Sequence, residues 1–405
     1  MEFAIGFFTL AGLNFTFWTV VGGVRFLWEK LPRKKKKKRG RPVRGIKADE
    51  VAAVIPAHNE EGSIEETLRH LLKVLPPKNI YIANDASSDR TSEIARKIGV
   101  NVNNIYPNGG KAKALVSTFK KFNIYRRYKA VLIHDADVTI HKDYMKYALP
   151  YFKDKKIACV APHQMPSIKR YGWWENLFIL YRMRLWTILQ PGMRYGMTFG
   201  PTNVTYIVPG GLSMYRTSVL KKLDIDAPNL VIEDFNMTFE LRKKKLGRVA
   251  YDMRAKGYSQ DPHNMKDYVK QVKRWNLGFW QAALRNGIWP GLFWLSTGGF
   301  IVEMFLYAIF VISVPVIILG ILGSQYGVIP FSPEISALDI IVGLFIFDYL
   351  LTILVVIIER RPLLLLYGPL FVFLRYIDSA LYVLTLPKAF YEQSTGQWKS
   401  PRRKL

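Results

Sequence analysis

Val51-Ala-Ala-Val-Ile-Pro-Ala-His-Asn-Glu-Glu61 is a short apolar run closed by a proline and then by polar residues. Five apolar residues ended by Pro56 read as a buried strand. Over residues 60–75 the apolar positions are Ile64, Leu68, Leu71, Leu72 and Leu75, the spacing of a helix with one buried face. The alternation continues. Residues 79–83 (Asn-Ile-Tyr-Ile-Ala) read as a second strand, 90–98 and 111–122 as helices, and 130–134 (Ala-Val-Leu-Ile-His) as a further strand. Repeated strand–helix units predict an α/β fold with a parallel sheet, helices on both faces and ligands at the C-terminal ends of the strands.

The chemically distinctive residues stand just after those strands. Ala57-His58-Asn59-Glu60-Glu61 follows the first, Asn84-Asp85-Ala86-Ser87-Ser88-Asp89 the second, and Asp135-Ala136-Asp137 the next. Carboxylates at three adjacent strand ends repel one another unless a cation or hydrogen-bond donors share the site. Asp-x-Asp on an extended turn suits a hard divalent ion, Mg²⁺ or Mn²⁺, holding a diphosphate. Asn108-Gly-Gly-Lys-Ala112 adds a glycine pair and a lysine at a helix start, suited to a phosphate. A single aspartate there would be a helix cap or turn residue. Several in register after successive strands are poorly explained that way.

Outward from this region the chain becomes very apolar and very basic in separate places. Its 405 residues include 58 Lys and Arg against 31 Asp and Glu, a net charge of +27, yet half are hydrophobic. One cysteine excludes a disulfide framework and a cysteine-rich zinc site, and six scattered histidines argue against a histidine cage. From Phe3 to Trp28 the only ionisable side chain is Arg25, enough chain to cross a hydrocarbon core of ~30 Å. Basic residues follow this stretch instead of preceding it, so 1–28 reads as an anchor helix with a cytoplasmic C-terminal end, not as a signal peptide. The polybasic linker 29–49 then suits anionic lipid better than nucleic acid.

The C-terminal third is similar. Residues 291–322 hold one charge, Glu303; 337–358 hold Asp339 and Asp348; 362–386 hold Arg375 and Asp378, spaced i, i+3. Two or three spans are expected over 290–386, with the Arg-free loop 323–336 outside and Glu359-Arg360-Arg361 inside. If Gly368-Pro369 breaks the last segment into a re-entrant piece, the basic tail 387–405 stays inside, which is the expectation here. Between the membrane segments, 50–289 is the catalytic candidate.

The ordered set of motifs resembles the membrane-embedded family 2 glycosyltransferases of GT-A (Rossmann-like) fold. The likeness is greatest to the processive branch of cellulose, hyaluronan, chitin and poly-N-acetylglucosamine synthases, and it runs from about Val51 to Trp280. It places Ala57 and Glu60 in the nucleotide-binding turn and Asp85 on the uracil-ribose part of the donor, with Asn84 and Ala86 departing from the usual Asp-Asp-Gly-Ser-x-Asp. It places Lys111 on the diphosphate, Asp135 and Asp137 on the metal, and Gly210 and Gly211 along the donor and acceptor sugars. Ile232-Glu233-Asp234 matches the pair whose aspartate is the catalytic base. Gln271-Val-Lys-Arg274-Trp275 reproduces Gln-x-x-Arg-Trp, while Asp261-Pro262 stands where the family often has Glu-Pro.

The resemblance implies an inverting transfer, with Mg²⁺ or Mn²⁺, from a UDP-sugar (UDP-N-acetylglucosamine or UDP-glucose) to a growing β-linked polysaccharide at the cytoplasmic face of a membrane. Transfer of one sugar to a lipid or protein is the alternative, and no nucleic-acid partner is expected. With few membrane segments to enclose a polymer, a homo-oligomer stays open. Chemically, Asp137 with its cation, Lys111 and Arg274 would stabilise the leaving diphosphate. Asp234 would take the acceptor proton, its basicity raised by Glu233. Trp275 offers an apolar face and Gln271 hydrogen bonds to the acceptor.

His58 and His134 have no companion at metal-ligand spacing and read as structural, Trp280 as a membrane-interface anchor, and Arg242-Lys-Lys-Lys245 as a solvated or lipid-facing helix surface. Residues 171–197, aromatic and interrupted by Arg182, Arg184 and Arg194, read as an amphipathic helix among lipid headgroups, and 265–286 likewise. Asp348, Arg375 and Asp378 are candidates for helix pairing or a polar path.

Overall fold

A computed structural model describes residues 12–31, 44–169, 171–326 and 336–392. The parts of the anchor, linker, 323–336 loop and tail expectations that fall on 1–11, 32–43, 327–335 and 393–405 lie outside the described residues.

Eight strands form one sheet: β1 Val51–Ala57, β2 Ile80–Asp85, β3 Asn101–Ile105, β4 Ala130–His134, β5 Val138–Ile140, β6 Ile157–Pro166, β7 Leu212–Arg216 and β8 Arg248–Ser259, in the order β3-β2-β1-β4-β7-β6-β8-β5. β1 is central and buried along its whole length. Its alternate residues serve two cores. Ala53 and Ile55 pack with Ile64 and Leu68 on one face, and Ala52 and Val54 with Leu115 and Phe119 on the other. The helices on those faces are α2 Ile64–Leu71, α3 Thr91–Ile98 and α4 Lys111–Lys121.

The sheet is mixed, which corrects the parallel expectation. β3-β2-β1-β4 are parallel, but β7 runs antiparallel to β4, pairing Leu212 with His134. Past β4 the neighbouring strands are no longer joined by single crossover helices, and β7 enters the sheet beside the end of β4. That reversal puts Gly210 and Gly211 next to Asp135, whose N–H donates to the Gly211 carbonyl at 2.8 Å. β6 carries Cys159, fully buried, its thiol pushed up to about 12 by burial.

Helices α5 Trp173–Ile188, α6 Glu233–Lys243 and α7 Met265–Asn286 complete the domain; a π-helical turn, Leu189–Arg194, continues α5. Residues 177–184 of α5 are all buried, so α5 is enclosed and not a headgroup-facing amphipathic helix. Arg184 is drawn inward because Asp348 offers its carboxylate, with Arg184 Nη2 3.2 Å from Oδ1, and Thr352 accepts at 3.1 Å. Arg375 pairs with the same carboxylate. Trp280 is likewise buried, against Tyr382, and not exposed as an anchor.

Among the described residues, three helical stretches are long and apolar enough to cross a membrane: Leu292–Ser324, Ile341–Glu359 and Leu363–Lys388. They belong to α8 (Leu292–Gln325), α9 (Ala337–Glu359) and a path that tightens to 3-10 geometry over Gly368–Leu370 before α10, Phe371–Lys388. Gly368-Pro369 thus tightens the helical path without ending it. The described part of the first segment, α1 (Leu13–Lys30), packs on α8, where Trp18 Nε1 donates to Ser296 Oγ at 3.1 Å. Arg25 of α1 is buried and donates to the Tyr195 carbonyl at 2.8 Å. Gly196 meets α1 so closely that a Cβ there would collide with the Trp18 carbonyl.

Candidate active site at the sheet edge

The turns after β1 and β2 are tied together by their own polar side chains. Asp85 is fully buried, and its two carboxylate oxygens accept the N–H groups of Gly109 (2.9 Å) and Gly110 (2.7 Å). That fixes the glycine pair from which α4 starts, and so places Lys111. Asn59, at φ +55°, accepts the Ser88 N–H at 2.8 Å. Glu60 is buried and accepts from Ser63 Oγ at 2.8 Å. Ala57 ends β1 opposite Asn84. His58 Nδ1 contacts the Asp85 carbonyl at 2.5 Å and His134 Nδ1 the Asp135 carbonyl at 2.8 Å, in keeping with structural roles. Burial lowers the His134 ring to about 4, so it is neutral at physiological pH.

Lys111 is the hub of the second cluster. Its Nζ lies 2.7 Å from Asp135 Oδ1 and 2.9 Å from Glu233 Oε1. Burial works against the ammonium charge, but Asp135 and Glu233 hold Lys111 well above the usual lysine range. Burial raises Asp135, Lys111 opposes the rise and Asp137 adds to it. Burial would raise Glu233 too, yet Lys111 outweighs it and leaves that carboxyl below its ordinary value. Asp234 differs. Burial, then the Glu233 charge, push its carboxyl up to about 6 against the pull of Lys111. Its oxygens accept the N–H groups of Gly210 at 3.0 Å and Phe235 at 2.7 Å. The site therefore brings Lys111, Asp135, Gly210, Gly211, Glu233 and Asp234 together.

No group of three or more His, Cys, Asp or Glu side chains among the described residues forms a metal cage. Asp135 and Asp137, two carboxylates of the same turn, are a donor set that suits a hard cation completed by phosphate oxygens and water. The residues present fit a Mg²⁺ or Mn²⁺ ion carried with a diphosphate.

On α7, capped where Asn264 accepts the Asp267 N–H at 2.9 Å, the two ends of Gln-x-x-Arg-Trp meet α5. Gln271 Oε1 accepts from Arg182 Nη2 at 3.0 Å, and the Arg182 guanidinium lies 4.5 Å from the Trp275 ring centroid. Arg274 is exposed, and its charge acts on Glu233. Asp261 is buried and accepts from Ser259 Oγ at 3.0 Å. Two residues at the site escaped the sequence reading. Gln164 lies beside Gly211, where a Cβ would be 3.2 Å from both its amide and Asp135 Oδ2. Its signal was a polar residue in the last three positions of an apolar strand. Arg182 was visible only as a charge in an apolar run.

The sequence profile described as "Glycosyltransferase like family 2" matches residues 48–278, more than half of the chain and every candidate site residue from Ala57 to Trp275. The chain belongs to this family. A family 2 glycosyltransferase is a transferase enzyme, and curated relatives agree in part of their length. The chain is 26% identical over 250 residues to the poly-β-1,6-N-acetyl-D-glucosamine synthase of Staphylococcus aureus (strain MSSA476), covering 60% of this glycosyltransferase and 58% of that protein. An uncharacterized protein of Methanocaldococcus jannaschii is 36% identical over 156 residues, 36% of this chain and 63% of its own. The chain thus matches about three fifths of the length of these relatives. Among solved structures, the mannosyltransferase PcManGT from Pyrobaculum calidifontis, in complex with GDP-Man and Mn²⁺, shares the fold over 96% of this glycosyltransferase and 99% of that chain, with a TM-score of 0.57 and 16% identity. That likeness extends past the GT-A domain into the apolar helices.

Proposed function

We propose that this family 2 glycosyltransferase adds a sugar from a UDP-sugar, UDP-N-acetylglucosamine or UDP-glucose, to a growing β-linked polysaccharide, with inversion and with Mg²⁺ or Mn²⁺. The observation that carries the reading is the Lys111 bridge between Asp135 and Glu233, with the Asp234 carboxyl raised to about 6 beside it. A base poised just below neutral pH is ionised when an acceptor hydroxyl arrives and still basic enough to take its proton. The acceptor oxygen bonds to the anomeric carbon, the bond from that carbon to the diphosphate breaks, and the proton passes to Asp234. One displacement inverts the anomeric centre.

Lys111 and Arg274 supply cationic partners for the departing diphosphate, and Asp85 keeps Lys111 in place through the glycine turn. When bound, a divalent ion held by Asp137 and Asp135 would supply Lewis-acid counter-charge to the diphosphate. The missing side chains of Gly210 and Gly211 let Lys111, Glu233, Asp135 and Gln164 close in on the strand that would line the sugars, and Gln271 and Trp275 receive the acceptor. The relationship to the staphylococcal synthase over 60% of the chain favours a polymer product. The charge pattern favours a cytoplasmic catalytic domain, and with three membrane-length apolar helices among the described residues a homo-oligomer would help to enclose a polymer.

The deciding experiment is nucleotide release by the detergent-purified protein with Mg²⁺ or Mn²⁺ across a panel of UDP-sugars and GDP-mannose, with product size analysed. Turnover of one UDP-sugar, a product ladder, and loss of both in Asp234→Asn are expected. A single-sugar product on lipid or protein replaces the polymer reading with single transfer. No turnover by folded protein replaces it with a silent membrane scaffold.

A further inference from the structure

Arg182 is a buried cation beside the acceptor helix. It comes from α5, is 3% exposed, and reaches α7 through three residues on one face of that helix: Tyr268, Gln271 and Trp275. Tyr268 and Trp275 are seven residues apart, about 10.5 Å along a helix axis. The guanidinium lies 4.7 Å from the Tyr268 centroid and 4.5 Å from the Trp275 centroid, while Nη2 donates to Gln271 Oε1 at 3.0 Å. It fills the space between the two rings. Trp186 of α5 closes the box, its ring centroid 5.8 Å from that of Trp275.

A buried cation costs free energy unless it is paired. The nearby negative charge is Asp378 of α10, whose carboxylate accepts the hydroxyls of Tyr181 at 2.9 Å and Tyr268 at 2.6 Å, and on which the Arg182 charge acts. Arg182 and Arg184, two positions apart on α5, point to different partners: Arg182 to α7, Arg184 to Asp348 on α9. α5 thus joins the Gln-x-x-Arg-Trp helix to two apolar helices through buried arginines.

We propose that Arg182 is a positioning residue for acceptor transfer, holding Gln271 and Trp275 in the geometry that receives the acceptor, with Asp378 tying that geometry to the last apolar helix. The inference rests on the glycosyltransferase reading above. With Oε1 held by the guanidinium, the Gln271 amide turns its N–H₂ towards the acceptor as a donor. With Arg182 against its ring, Trp275 is held at a fixed angle to the acceptor. Arg is required at this position because a flat, delocalised cation can stack on two rings and donate sideways at once, which an ammonium cannot.

The test compares wild type, Arg182→Lys and Arg182→Met in the full-length, detergent-purified protein. Two rates are measured with the donor that wild type turns over: hydrolysis to free nucleotide without acceptor, and transfer into glycosidic product. Amide hydrogen exchange over Met265–Asn286 and over Val51–Ala57 is followed in the same samples. Both variants should keep donor KM and hydrolysis within about threefold, while the transfer-to-hydrolysis ratio falls about tenfold or more. Exchange should quicken around Gln271–Trp275 and stay unchanged in β1. An unchanged ratio, or hydrolysis and transfer lost in parallel, overturns the proposal, as does full rescue by lysine. If wild type turns over no donor, the glycosyltransferase reading fails separately, and unchanged exchange around Gln271–Trp275 in Arg182→Met would still overturn the positioning claim.

Discussion

The backbone N–H of Gly210 donates to Asp234 Oδ2 at 3.0 Å, so the residue leading into β7 orients the carboxylate in the first turn of α6. A Cβ at position 210 would lie 2.9 Å from Lys111 Nζ and 3.1 Å from Glu233 Oε1. Lys111 Nζ is the end of a flexible side chain, so the methyl added in Gly210→Ala should shift the ammonium within its bridge to Asp135 and Glu233 without breaking it, at a cost of about 1 kcal/mol. The expected result is a Tm lowered by a few degrees at most with turnover reduced about tenfold to a hundredfold; undiminished turnover would remove Gly210 from the site.

The raised Asp234 carboxyl gives two pH signatures with opposite signs. As a base it must be ionised, so the rate should fall with slope one as pH drops through about 6. For stability, a carboxyl whose folded value exceeds its unfolded one favours the folded state below the unfolded value, and that contribution is lost as pH rises through about 6. Wild type should therefore gain about 1 kcal/mol from this group between pH 7 and pH 5. Asp234→Asn should lack that gain and lose about a thousandfold in rate. A pH–rate profile checks the first signature, paired thermal melts at pH 7 and pH 5 the second.

Because the described residues supply two carboxylates and no complete cage, metal should matter to the reaction and not to the fold. Chelation is expected to abolish sugar transfer while moving the Tm of the donor-free protein by no more than about one degree. A large fall in that Tm would instead reveal a structural ion.

What the sequence displayed depended on burial. β1, β2 and β4 are covered on both faces, so their apolar runs announced them. β3 is an edge strand, Asn-Val-Asn-Asn-Ile, whose side-chain amides bond to neighbours, Asn101 to the Ile80 carbonyl at 3.0 Å and Asn103 to Thr118 Oγ1 at 3.1 Å. Its polarity hid it. Strand direction was hidden too, since nothing local to Leu212–Arg216 encodes that it runs against β4. Aspartates and glycines at strand ends were legible because their spacing is local. The Lys111–Glu233 contact and the Arg182 box join residues far apart in the chain, and only packing brings them together.

Ala86 stands at φ +52°, a left-handed conformation, where the resembled pattern carries glycine. An L-residue there costs about 1–2 kcal/mol, while a glycine adds about 0.4–1 kcal/mol of unfolded-state entropy. Ala86→Gly should stabilise the protein by roughly 0.5–1 kcal/mol. Thermal unfolding with wild-type turnover retained is the check.

Asp348 serves two arginines, and the loss should be unequal. Arg184→Met leaves Asp348 paired with Arg375, whereas Asp348→Asn strands both guanidinium groups. Breaking a buried pair costs about 3–5 kcal/mol. The expected order of Tm in detergent is wild type, then Arg184→Met, then Asp348→Asn, and the reverse order would mean that Asp348 is not the hub.

The burial of Cys159 makes the natural chain its own blank for thiol labelling. Its thiol, shifted to about 12 and shut off from solvent, will not react with maleimides at neutral pH. Any cysteine introduced elsewhere then becomes the sole reporter, with no prior mutagenesis. Tyr326→Cys and Arg361→Cys, near the far ends of α8 and α9, would tell an impermeant reagent from a permeant one in sealed vesicles, giving the sidedness of each turn from a single substitution.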